Sequence, residues 1–224
     1  MESRRSILVL ASLASVAALA GCGDKADEDV GAVEDLMREH GVLRRAILVF
    51  RESASRLRHG DSVDPAMLMR TARLFRNFGE DYHERKLEEA HIFPAIKKAG
   101  GSAAGYVDIL IDQHNKGRAV IDYVMGVTGN GQIGSGDQDS MAHALEQFEL
   151  MYANHAARED TIIFPAWKKA LGPDGVDEMG EKFEDIEKAQ FGGDGFDQAV
   201  TEIGHIEDGL GLGDIAQFNV QPPR

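Results

Sequence analysis

Six residues of this chain combine metal-binding donor atoms with a repeated spacing: His40, His83, Glu88, His114, His155 and Glu159. The first half of the chain reads EHGVLRRAILVF and then DYHERKLEEAHIFPAIKKAG. The second half reads QHNKGRAVIDYV and then YANHAAREDTIIFPAWKKALG. Aligning IFPAIKK with IFPAWKK pairs Glu88 with Glu159 and brings His83 within one residue of the position matching His155. Aligning the segments before them pairs His40 with His114. Imidazole nitrogens and carboxylate oxygens together suit iron, manganese or zinc. Four histidines and two glutamates converging between helices would make a two-iron site. The competing explanation is structural. A buried carboxylate is costly unless paired or metal-bound, and Arg44 or Arg118 would have to reach in from neighbouring helices to pair it.

Helical periodicity supplies the elements that must carry these residues, and strand-like alternation is almost absent. The first helix is predicted from about Val30 to His59, with Leu36, His40, Leu43, Ile47, Phe50, Ala54 and Leu57 on its apolar stripe. Asp64 is a predicted N-cap and Pro65 the first residue of a second helix that stops at Gly100-Gly101. A third helix, from about Ser102 to Val127, carries Val107, Leu110, His114, Gly117, Ile121 and Val124 on its inner face. After the loop GNGQIGSGDQD, a fourth runs from about Ser140 to Leu171, with Met141, Leu145, Phe148, Tyr152, His155, Glu159, Ile162 and Ala166 in its stripe. Short connections between four long amphipathic helices imply an all-α fold, an antiparallel up-down-up-down four-helix bundle over residues 32–171. Residues 172–224 carry two further helical patterns, read as a helical hairpin packed on the bundle and followed by an extended tail.

His155 and Glu159 stand four apart, one turn on the same helical face. His83 and Glu88 stand five apart, which separates them by about 140° on a regular helix at roughly 100° per residue. A π-bulge would bring them together, so an irregular turn is predicted between them. Glu84 sits where the histidine of the second half would fall and competes for the ligand role. Tyr152, one turn before His155, is a candidate hydrogen-bond partner for the site. His59, His143 and His205 have no assigned role, and His91 reads as a surface residue rather than a partner of the ligands. The bulky residues Leu43, Ile47, Leu110, Phe148 and Ile162 would exclude water and admit only small, weakly polar molecules.

The net charge of −14 and pI near 4.9 argue against nucleic acid as a partner. The single cysteine, Cys22, excludes an intrachain disulfide and thiolate metal sites. It ends MESRRSILVLASLASVAALAGC, a short basic start followed by an apolar run too short for a comfortable membrane span. Residues 1–21 therefore read as a signal peptide and 22–31 as a polar tether. Leu19-Ala20-Gly21-Cys22 resembles a bacterial lipobox, which implies cleavage before Cys22 and a lipid on that residue. Ser3-Arg4-Arg5-Ser6-Ile7-Leu8 resembles a twin-arginine signal, a route for folded, cofactor-loaded proteins. Together they place the protein in the cell envelope, anchored to a lipid bilayer on its periplasmic or extracytoplasmic face.

His40, His83 with Glu88, His114, and His155-x-x-x-Glu159, each half closing on IFPA, resemble the hemerythrin family over about residues 32–171. The resemblance implies a four-helix bundle around a non-haem, oxo- or hydroxo-bridged di-iron centre that binds O₂ reversibly. It implies that the histidines are terminal ligands and that Glu88 and Glu159 bridge the two iron ions. The O₂-transport members carry a further histidine one turn after the third-helix ligand, where this chain has Arg118. Four histidines instead of five leave a more open, more readily oxidised metal pair. Sensing, scavenging or storage of O₂, nitric oxide or peroxide fits this better than stable carriage. A binding protein is the favoured reading, and no nucleophile triad or phosphate loop is present. One alternative is a ferritin-like di-iron oxidase or iron-handling protein, for which Glu80-x-x-His83 and Glu88-x-x-His91 have the spacing; the second half, with its order reversed, does not. The other is a structural bundle without metal.

Overall fold

The computed structural model describes residues 30–223, so the signal peptide, the lipobox and Cys22 lie outside the described residues. Among the described residues the secondary structure is helical, with no strand. Helix α1 spans Ala32–His59 and stops at Gly60, whose positive φ of 77° lets its N–H cap the last turn on Arg56 and Leu57. Helix α2 covers residues 65–99 in three parts: Pro65–Leu74, a π-helical stretch Phe75–Ile92, and Phe93–Ala99. The Asp64 side chain accepts from the Ala66 N–H at 2.8 Å, the expected cap. A short turn, Gly101–Ala104, precedes helix α3, Val107–Thr128. Helix α4, residues 138–171, runs as Gln138–Arg158, a π-turn Glu159–Ile163 and a regular stretch to the break at Gly172 (φ 71°, ψ 174°). Helices α5 (173–191) and α6 (Gly195–Leu210) follow, then a 3₁₀ turn, Ile215–Phe218, where an extended tail is predicted.

The contacts between helices show how they lie. Between α1 and α2, Leu43 meets Gly79 and Phe50 meets Phe75. From α2 to α3, Arg76 bonds Asp122 and Lys97 bonds Asp108. From α3 to α4, Gly117 meets Phe148 and Gln113 bonds His155. From α1 to α4, Arg44 pairs with Asp160 and Arg58 with Glu146. In each pair the number rises on one helix as it falls on the other, so these neighbours run in opposite directions. The C-terminal helices cover the α1–α2 face. Phe191 of α5 lies against Tyr82 at 5.2 Å and Phe78 at 6.0 Å. Glu207 and Glu202 of α6 bond Arg45 and Arg70.

An aromatic layer holds α1, α2 and α4 together beside the ligand residues. Phe75 sits edge-on to Phe148 at 5.0 Å and to Tyr152 at 5.3 Å, and Phe50 closes the layer. All are buried, each stabilising the fold by about 1.5–3 kcal/mol relative to exposure. Gly79 allows α1 and α2 to approach; a Cβ there would lie 3.0 Å from Leu43 Cδ2. The π-turn in α4 corrects one predicted face. Beyond Glu159 the buried residues are Ile163, Phe164 and Trp167, not Ile162 and Ala166, because the widened turn shifts the phase by one residue.

Candidate metal centre

The structure brings His40, His83, Glu88, His114, His155 and Glu159 together from four helices, all buried. The Nε2 atoms of His40 and His83 stand 3.0 Å apart, and those of His114 and His155 stand 3.1 Å apart. Two imidazole nitrogens brought this close from different helices would let each pair hold one metal ion. Glu88 lies between the pairs, with Oε1 3.5 Å from His83 Nε2 and Oε2 3.3 Å from His114 Nε2. Glu159 does the same: Oε2 is 2.9 Å from His155 Nε2 and 3.5 Å from His40 Nε2, and Oε1 is 4.0 Å from His114 Nε2.

No carboxylate oxygen of Glu88 or Glu159 has an aligned hydrogen-bond partner, although all four are buried. His155 Nε2 comes within 2.9 Å of Glu159 Oε2 but is not aligned for a hydrogen bond. Buried carboxylates without aligned donors are costly, and lone pairs that converge without pairing fit a cation between them. Arginine does not explain these charges. Arg44 bonds Asp160, and Arg118 bonds Glu84 at 2.9 Å and Glu89 at 2.6 Å; neither bonds Glu88 or Glu159.

The π-helical stretch answers the five-residue spacing. In a helix with i→i+5 hydrogen bonds, His83 and Glu88 fall on one face. The irregularity is larger than the single turn expected, since it covers Phe75–Ile92. A second π-turn begins at Glu159 itself. Glu84 does not take a ligand position: its nearest oxygen lies 3.9 Å from Nδ1 of His114, on the outer side of the ring, and Arg118 holds it there.

Each histidine has a partner on its outer nitrogen. His40 Nδ1 donates to Asp160 (2.7 Å), His83 to Glu39 (2.5 Å), His114 to Glu89 (2.8 Å) and His155 to Gln113 (3.0 Å). Such bonds fix the tautomer and leave Nε2 free to ligate. The arrangement is cyclic: α1 partners the histidine of α2, α2 that of α3, α3 that of α4, and α4 that of α1. All four partners lie outside the set expected from the sequence, although each is the immediate neighbour of a candidate ligand: Glu39-His40, Glu88-Glu89, Gln113-His114, Glu159-Asp160. The same half-repeat pairs Glu39 with Gln113, Glu89 with Asp160 and Arg44 with Arg118.

Without metal, protons on the imidazoles would balance the two glutamates. Burial opposes protonation of His114, but Glu84, Glu88 and Glu89 overcome it and push the ring up to about 10. Burial likewise opposes protonation of His83, yet Glu88 and Glu39 raise it well above its ordinary value. Burial would raise Glu88, but His83 and His114 hold it well below the usual carboxylate range.

Other residues stand apart. His59, His143 and His205 are exposed, and His91 packs on Phe183. Tyr152 is buried with its ring 6.0 Å from that of His155, but its hydroxyl has no hydrogen-bond partner, so the expected bond is not made. Of the predicted apolar wall, Leu43, Ile47, Leu110 and Phe148 are buried and Ile162 is only partly so.

Comparison with known proteins agrees with this geometry. Residues 31–167, more than half of the chain, match the family described as hemerythrin HHE cation binding domain. The chain belongs to that family. Relatives include the uncharacterized protein Rv1995 of Mycobacterium tuberculosis (strain H37Rv) and the uncharacterized protein Mb2018 of Mycobacterium bovis. Each is 36% identical to this hemerythrin-family chain over 231 aligned positions, covering 96% of this chain and 90% of the relative. No solved structure matches significantly. Family membership and the buried His/Glu groups together indicate a metal-binding protein, with iron as the metal the family implies.

Proposed function

We propose that the protein is a non-haem di-iron protein of the cell envelope that binds O₂ or a related small ligand, nitric oxide or peroxide, for sensing, scavenging or storage. The observation that carries this reading is the set of four buried carboxylate oxygens without aligned donors, set between two imidazole pairs. His40 and His83 would hold one iron ion, His114 and His155 the other, with Glu88 and Glu159 spanning both. Opposed directions of neighbouring helices support the up-down-up-down four-helix arrangement that this requires. When bound, the iron pair supplies redox capacity and open coordination positions for a small ligand. The chain's own residues orient the ligating nitrogens through Asp160, Glu39, Glu89 and Gln113, and the buried Leu43, Ile47 and Phe148 keep bulk water away. A ferritin-like oxidase is less well supported: Glu80 lies beside Arg76, and His91 packs against Phe183 outside the centre.

Envelope location and lipid attachment at Cys22 rest on the sequence alone. No helix among the described residues is long and apolar enough to cross a membrane. Anaerobic titration of the iron-loaded, reduced protein with nitric oxide and with O₂, followed by optical absorption, tests the ligand class. Saturable spectral changes at one ligand per iron pair support it, whereas no change with either ligand contradicts it. For the anchor, Cys22→Ser should move the protein from the membrane fraction to the soluble fraction; wild-type protein found soluble contradicts it.

A further inference from the structure

The outer partners repeat faithfully between the two halves of the chain except at one place. Asp160 and Glu89 correspond, and so do Arg44 and Arg118, but Glu39 corresponds to Gln113. His40 and His83 therefore both donate Nδ1–H to carboxylates, whereas in the other half His114 donates to a carboxylate and His155 to a neutral carboxamide. A carboxylate on the outer nitrogen makes the inner one a stronger donor; a carboxamide orients the ring without that gain. Outer partners of this kind are worth about 10–100-fold in metal affinity.

The surroundings lean the same way. A cleft of ≈ 730 Å³ between α1, α5 and α6 has Glu39 among its lining residues, along with Asp35, Glu181, Glu184, Glu187 and Asp194. Its cations Arg38 and Lys188 are paired with Asp35 and Glu184. Negative potential there favours a cation at the His83 end. On the opposite side Arg118, with a side chain 10% exposed, is less screened by solvent than its counterpart Arg44, which is 43% exposed. Arg118 is in turn paired with two carboxylates, Glu84 and Glu89, where Arg44 is paired with Asp160, so this contrast is largely offset and Gln113 is the difference that remains.

We propose that Gln113 makes the two halves unequal: the His40–His83 half takes the first metal ion, and the His114–His155 half holds the second more weakly and exchanges it more readily. This rests on the reading of the His/Glu cluster as a two-metal centre. The test is anaerobic titration of the metal-free full chain with Fe²⁺ against a competing chelator, for wild type, Gln113→Glu and Glu39→Gln. Wild type should show two steps separated by about 10–100-fold. Gln113→Glu should strengthen the weaker step by that factor, and Glu39→Gln should weaken the stronger. Repulsion between two bound cations would also separate the steps, but Gln113→Glu would not close that gap. A single class of two equal sites in wild type overturns the inference, as does a gap unmoved by Gln113→Glu or a stronger first step in that variant. Failure of wild type to take up Fe²⁺ is a different result, and it overturns the two-metal reading itself.

Discussion

The carboxylates of Glu88 and Glu159 reach the centre of the molecule without an aligned donor, while Asp160, Glu84 and Glu89 near them each accept from an arginine. Arg118 shows the contrast. It ties Glu84 and Glu89 together. Breaking a buried pair by removing one partner costs about 3–5 kcal/mol. Arg118→Leu should therefore lower stability by that amount in denaturant unfolding; a loss below about 1 kcal/mol would mean that the pairs are dispensable. Glu159→Gln keeps the shape but removes one buried charge of the cluster, so iron retention through gel filtration should fall sharply while helicity by circular dichroism stays. At this scale the six converging residues were legible because they repeat on apolar stripes. Glu39, Glu89, Gln113 and Asp160 were not, because a polar residue beside a ligand reads as solvent-facing until the neighbouring helix is in place.

Among the elements, α2 does the most unusual work. Its π-helical stretch turns the five-residue spacing of His83 and Glu88 into a shared face, and Gly79 on that stretch lets α1 come close enough for His40 to meet His83. Gly79→Leu should force Leu43 and Phe75 apart, destabilising the fold by about 1–3 kcal/mol and weakening iron binding at the His40–His83 half. Equal iron affinity in that variant would show that the helix separation is not limiting. Helix limits were read from the sequence to within a few residues, since Asp64-Pro65 and Gly100-Gly101 mark them chemically. The phase of α4 beyond Glu159 was not, because one extra residue in a turn moves the buried face from Ile162 to Ile163 without any signal in composition.

For the molecule as a whole, the buried charges make stability depend on both metal and pH. In the metal-free chain the raised histidines stabilise the fold fully below their ordinary value of 6.5, and this is lost as pH climbs, through about 10 for His114. Glu80 adds the same sign. Burial, then the charge of Glu84, pushes it up to about 8 against Arg76, so the fold is penalised as pH rises from 4.5 to 8. Glu88 and Glu159 are held low, and their contribution is lost only as pH falls below 4.5. Thermal unfolding with chelator present should therefore show a lower Tm near pH 9 than near pH 6. Iron should close the gap, because the metal replaces the protons on the imidazoles. A metal-free Tm that is flat or rises with pH would contradict this assignment of charges.

The measurement that bears most directly on the centre is Mössbauer spectroscopy with iron quantification on the full chain, purified from iron-replete cells without added metal. Close to two iron ions per chain, magnetically coupled, and lost together in Glu88→Ala, are expected. One iron or none, or a pair unaffected by Glu88→Ala, would contradict the two-metal reading.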